Sequence, residues 1–110
     1  MISQGDIFLA DLNPVKGHEQ ASFRPVLVMQ NNILNNNLST VLIAPITSNL
    51  QAKGKMTTFF LQKADSGLNS DSVVLLFQMR TIDVSRLEKK VAHLKKEQFA
   101  SVKEQLRFIF

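Results

Sequence analysis

Arg24-Pro25-Val26-Leu27-Val28-Met29-Gln30 is the stretch from which the fold reads. Its β-branched and apolar residues form a run too short for an ordinary helix, and they suit a buried strand. An asparagine-rich segment, Asn31 to Asn37, closes it. Upstream, Ile7-Phe8-Leu9-Ala10-Asp11-Leu12 is a similar run, ended by the turn signal Asn13-Pro14. Downstream, Thr40-Val41-Leu42-Ile43-Ala44 repeats the pattern, and Pro45 marks an edge or bulge where that strand ends. Thr57 to Leu61 and Ser72 to Gln78 add two more runs, separated by the turn-rich segment Asp65 to Ser70. Five or six short strands in about 80 residues predict a small barrel or sandwich rather than βαβ units.

The last fifth differs. Phe99, Val102, Leu106 and Ile109 recur at spacings of three or four, the period of an amphipathic helix. Lys95, Lys96, Lys103 and Arg107 fall between them, on the wet side. Asp83 is placed to cap a short turn through Val84-Ser85-Arg86-Leu87. The expected fold class is mainly β with a C-terminal helix.

The chain has 110 residues, enough for one domain with its own core, taken here as residues 1–110. It has no cysteine, which excludes disulfide scaffolds, thiolate zinc sites and cysteine nucleophiles. With only His18 and His93, a multi-histidine metal site is not expected either. Chemistry must therefore use Arg, Lys, Glu, Asp, Ser, Thr or one of two histidines. The net charge of +4 favours polyanionic partners through counterion release and steering. No apolar run is long enough to span a membrane, and Met1-Ile2-Ser3-Gln4-Gly5-Asp6 lacks the basic start of a signal peptide. A cytoplasmic location is the expectation.

The loop Asn13 to Arg24 brings Lys16, His18, Glu19 and Arg24 into nine positions beside Gly17, a density that a solvated hairpin loop would also account for. Pro25 biases Arg24 toward an extended backbone, and a guanidinium held there can make bidentate bonds to a phosphate. Arg24 equally suits an ordinary ion pair at a strand end. Pro45-Ile46-Thr47-Ser48-Asn49 offers hydroxyl and amide donors that can bind an anion or simply cap a turn. Lys53 and Lys55 flank Gly54 in a loop able to meet a phosphate, and Gln78 and Arg80 can meet a base edge or a phosphate. An internal pair with Asp83 or Glu19 is the alternative for Arg80. His93, between Ala92 and Leu94, reads as structural or surface-lying.

Several of these stretches, in order, resemble one family. Gly5-Asp6-Ile7-Phe8-Leu9-Ala10-Asp11-Leu12-Asn13-Pro14, Gly17-His18-Glu19-Gln20, Arg24-Pro25-Val26-Leu27-Val28 and Gln78-Met79-Arg80-Thr81-Ile82-Asp83 are similar to the MazF/PemK toxins. Pro45-Ile46-Thr47-Ser48 and Asp71-Ser72-Val73-Val74 match in the same order. The resemblance covers nearly the whole chain. It implies an SH3-like or CcdB-like β-barrel, a homodimer, no metal or other cofactor, and a cognate antitoxin, which the positive charge of this chain predicts to be acidic and partly disordered. It implies an endoribonuclease that cuts single-stranded RNA at short motifs, the ribose 2′-hydroxyl attacking the adjacent phosphorus to leave a cyclic phosphate and a 5′-hydroxyl.

In one branch of the family the residues matching Arg24 and Thr47 carry the reaction. In the other, the loop histidine acts with an arginine and an aspartate at positions held here by Leu75 and Phe77. The chain is thus mixed: it has His18 without that second set. The expected catalytic residues are Arg24 and Thr47, with His18 as base and Glu19 as its substitute. Lys16, Lys53, Lys55 and Arg80 are the phosphate candidates, and Gln20, Asn31 and Gln78 the base-edge candidates. Phe23 is the one aromatic of the loop cluster, a stacking surface or a core residue. The rival readings are a non-enzymatic CcdB-like gyrase poison and a catalytically decayed RNA- or antitoxin-binding relative.

Overall fold

The computed structural model describes residues 1–13 and 23–110. Seven strands form one antiparallel sheet: β1 (Asp6–Asp11), β2 (Phe23–Val28), β3 (Thr40–Thr47), β4 (Thr58–Leu61), β5 (Ser72–Leu75), β6 (Arg80–Asp83) and β7 (Leu87–His93). Their order is β4-β5-β3-β2-β1-β7, with β6 pairing β3. Among the described residues no ladder joins β4 to β7, so the sheet is open and "barrel" describes it only loosely. Among the described residues three α-helices accompany it: α1 (Asn32–Asn35), α2 (Lys63–Ser66) and α3 (Lys96–Gln105). No helix of the described residues is long and apolar enough to cross a membrane.

Both faces of the sheet are buried, which is why the central strands read as continuous apolar runs rather than alternating ones. Leu27, Ala44 and Ile46 point into one core with Ile7, Leu94 and α3 residues Phe99 and Val102. Val26, Val28, Val41 and Ile43 point into a second core with Ala10 and Ile82. Each of the fully buried Val, Leu and Ile side chains is worth about 1.5–3 kcal/mol of transfer free energy, so two cores serve one short chain.

β3 is the hub, and it does not end at Ala44. Thr40–Ile43 pair with β6 on one edge, Ile43–Pro45 pair with β2 on the other, and Ile46–Thr47 pair with β5. The β2–β3 ladder stops at Val26 opposite Pro45. Continued two residues, that register would set Arg24 opposite Thr47 and Pro25 opposite Ile46. Neither Pro25 nor Pro45 has an N–H to donate, so the ladder cannot extend in that direction and the strands part.

Other boundaries move from the expected ones. The run Ser72 to Gln78 is a strand only to Leu75, and Leu76–Gln78 is a 3-10 turn. The asparagine-rich segment forms α1, capped by Asn31, whose carboxamide oxygen accepts from Leu34 N at 2.9 Å. Asp83 caps the 3-10 turn Val84–Arg86, its carboxylate accepting from Ser85 N at 2.8 Å. The C-terminal helix is α-helical to Gln105 and tightens to a 3-10 turn over Leu106–Phe108.

Candidate active site

Where β2 and β3 part, a cleft of about 660 Å³ opens. Phe23, Arg24 and Pro25 of β2 and Ile46 and Thr47 of β3 border it, with Ser48 just beyond. Leu9 of β1 and Lys89, Lys90 and Val91 of β7 continue the sheet side, and the segment from Gly67 to Ser70 faces it. Two residues expected to act together, Arg24 and Thr47, therefore border one cavity.

Thr47 is oriented by its own turn. Its Oγ1 accepts from Asn49 N at 3.1 Å, and the Asn49 side chain in turn accepts from Gln51 N at 3.0 Å. The hydroxyl thus caps the turn with a lone pair and keeps its proton for a ligand. Capping and anion binding, alternatives in the sequence, are compatible here. Arg24 is exposed and forms no ion pair among the described residues. Its planar guanidinium offers a fork of N–H donors to a ligand in the cleft.

The charge pattern is one-sided. Arg24, Lys89 and Lys90 are cationic, and none of the described lining residues carries a carboxylate. Lys90 is held from behind: its Nζ lies 3.2 Å from Oδ1 of the fully buried Asp6. Asp6 also accepts from Ser3 N at 2.8 Å through Oδ2 and meets His93 Nδ1 at 2.6 Å through Oδ1. His93 thus has the structural task expected of it. Phe23 is half-exposed at the cleft, where it is available to stack and is no core residue.

Other expected site residues lie elsewhere or cannot be placed. Lys16, His18, Glu19 and Gln20 fall outside the described residues. Lys53 and Lys55 border a separate groove with Met56, Gln105 and Phe108, and Lys53 Nζ sits 4.1 Å from the Phe60 ring centroid, a cation–π contact. Asn31 is engaged as the α1 cap. Gln78 and Arg80 are exposed around the start of β6 and do not line the cleft. Leu75, at the position of one second-branch residue, is buried. Lys89 and Lys90 were not anticipated, because a lysine pair reads as solvated surface until β7 is seen to lie beside β1. The one sequence signal for β7 is its mix of Leu87, Val91 and Ala92 among charges.

The fold and cleft define a small antiparallel β protein with a cleft whose charged described lining residues are cationic. Residues 3–110 match the model of the PemK-like, MazF-like toxins of type II toxin-antitoxin systems. The endoribonuclease EndoA of Bacillus subtilis is 42% identical over 107 residues, covering 97% of this chain and 92% of its own length. The endoribonuclease MazF of Staphylococcus saprophyticus is 39% identical over 102 residues, covering 93% and 85%. A chain in the MazE-MazF (Form-II) crystal structure from Deinococcus radiodurans superposes with a TM-score of 0.77 at 28% identity, covering 98% and 94%. The chain belongs to the PemK-like, MazF-like toxin family.

Proposed function

We propose that this chain is a MazF-type endoribonuclease toxin that cuts single-stranded RNA at short sequence motifs without a metal. The observation that carries the reading is the meeting of Arg24 and Thr47 in a cleft whose described lining has cations and no carboxylate. The named relatives are endoribonucleases, which favours cleavage over a gyrase poison, for which a phosphate-stabilising pair has no use.

In the proposed reaction the ribose 2′-oxygen attacks the adjacent phosphorus as its proton leaves to a base. The bond from phosphorus to the 5′-oxygen breaks, and that oxygen takes up a proton. The products are a 2′,3′-cyclic phosphate and a free 5′-hydroxyl. Negative charge grows on the phosphoryl oxygens, where Arg24 gives a bidentate cation and Thr47 a hydroxyl donor. Arg24 is a stabiliser rather than the base, because a guanidinium does not deprotonate. His18 is the proposed base, since an unperturbed imidazole titrates near neutrality, with Glu19 as its substitute. His18→Ala should lower the rate and flatten its acid limb; an undiminished rate with an unchanged pH profile removes His18 from the reaction.

RNA binding is assigned to Lys16 and, outside the cleft, to Lys53, Lys55 and Arg80 for phosphates, and to Gln20, Asn31 and Gln78 for bases, Asn31 with its side-chain oxygen engaged in capping α1. The protein acts as a cytoplasmic homodimer, and an acidic, partly disordered antitoxin neutralises it by covering the basic loops. The MazE-MazF neighbour supports an antitoxin partner. The test is incubation with a long single-stranded RNA in EDTA, alongside a gyrase assay. Discrete cuts at a recurring motif support the reading; intact RNA with inhibited gyrase overturns it.

A further inference from the structure

Across the sheet, Lys89 pairs with Leu9, and Leu9 pairs with Pro25. The parted β2–β3 register continues that row to Ile46, and all four residues border the cleft. The row is therefore an apolar floor with a cation at its β7 end. Arg24 stands in the neighbouring row, opposite Ala10, and leaves the other face of the sheet at the parted end of β2, two strand spacings (about 10 Å) from β7. Lys90 is tied to Asp6, but Lys89 forms no ion pair among the described residues and is exposed. Opposite this floor, Asn69 and Ser70 offer polar side chains rather than charge.

We infer that Lys89 forms a second phosphate subsite of the cleft, binding the backbone of single-stranded RNA beyond the phosphate that is cut, while Leu9 and Pro25, in the same row as Lys89, carry the nucleotide beside it. This rests on the ribonuclease reading above. Arg24 and Lys89 leave opposite faces of the sheet two strands apart, so they are set to hold different phosphates, and the apolar row beside Lys89 suits the face of a base or a sugar. The chain alone thus grips more than a dinucleotide. Lys89 is a binding residue: its contact is the same in ground and transition states, so it acts on KM and leaves kcat alone.

The test compares the wild type with Lys89→Ala, Lys89→Gln and Lys89→Arg, and with Lys103→Ala on α3 as a remote lysine control. Cleavage of a longer oligoribonucleotide and of a dinucleotide is followed, and binding of the uncleavable 2′-deoxy oligonucleotide is titrated against salt. Lys89→Ala and Lys89→Gln should raise KM several-fold on the longer substrate, leave kcat and dinucleotide cleavage unchanged, and lower the salt slope of binding by about 0.7. Lys89→Arg should restore both. Wild-type KM and salt slope in Lys89→Ala, or a loss equal to that of Lys103→Ala, overturn the subsite while leaving the ribonuclease reading intact. A wild-type protein that neither cuts nor binds these oligonucleotides overturns both.

Discussion

A threonine hydroxyl that accepts from a backbone N–H can point its own proton only away from that bond. Thr47 is in that position, with Asn49 N fixing its oxygen. The chemistry then separates by substitution. Thr47→Ser keeps the acceptor and the donor, and most of the activity with them. Thr47→Val loses both and should cost at least ~10²-fold in kcat, the scale for removing one oxyanion donor. Arg24→Ala should cost at least as much, and Arg24→Lys should recover little, because a point charge does not replace a planar fork. Steady-state cleavage of one oligoribonucleotide measures all four; near-wild-type kcat in Thr47→Val or Arg24→Ala removes that residue from the site.

At the scale of elements, the turn between β2 and β3 depends on Gln30. Its side chain donates to Thr40 O and to Asn35 Oδ1, each at 3.0 Å, and accepts from Leu42 N at 3.2 Å. Gln30→Leu leaves those partners without it, so a loss of about 1–3 kcal/mol is expected. Urea denaturation checks this, and an unchanged midpoint contradicts it. The same comparison shows what the sequence made legible. The strands with buried faces, β1 to β5, announce themselves by apolar runs, and α3 by the spacing of Phe99 and Val102. The edge strand β7, Leu87–His93, does not, because lysines that blunt an edge look like any solvated segment. Lys89 and Lys90 carry no sequence signal for the same reason. Arg24 and Thr47 were legible through the resemblance, but their meeting required the register set by β3. Pro45, expected to end that strand, lies inside it and ends only its ladder with β2.

At the scale of the molecule, an open seven-stranded sheet with a core on each face holds a cationic cleft where two of its strands part. The net charge of +4, weak evidence alone, gains named carriers there in Arg24 and Lys89. In the proposed reaction the cleft supplies no nucleophile of its own, because RNA carries one. The most direct test replaces the single ribose on the 5′ side of the cut by 2′-deoxyribose and analyses the ends left by the unmodified RNA, both in EDTA. The account predicts a 2′,3′-cyclic phosphate and a 5′-hydroxyl from the ribose substrate, and a deoxy substrate that is bound but uncut. Cleavage of the deoxy substrate, or products bearing a 5′-phosphate, would contradict it.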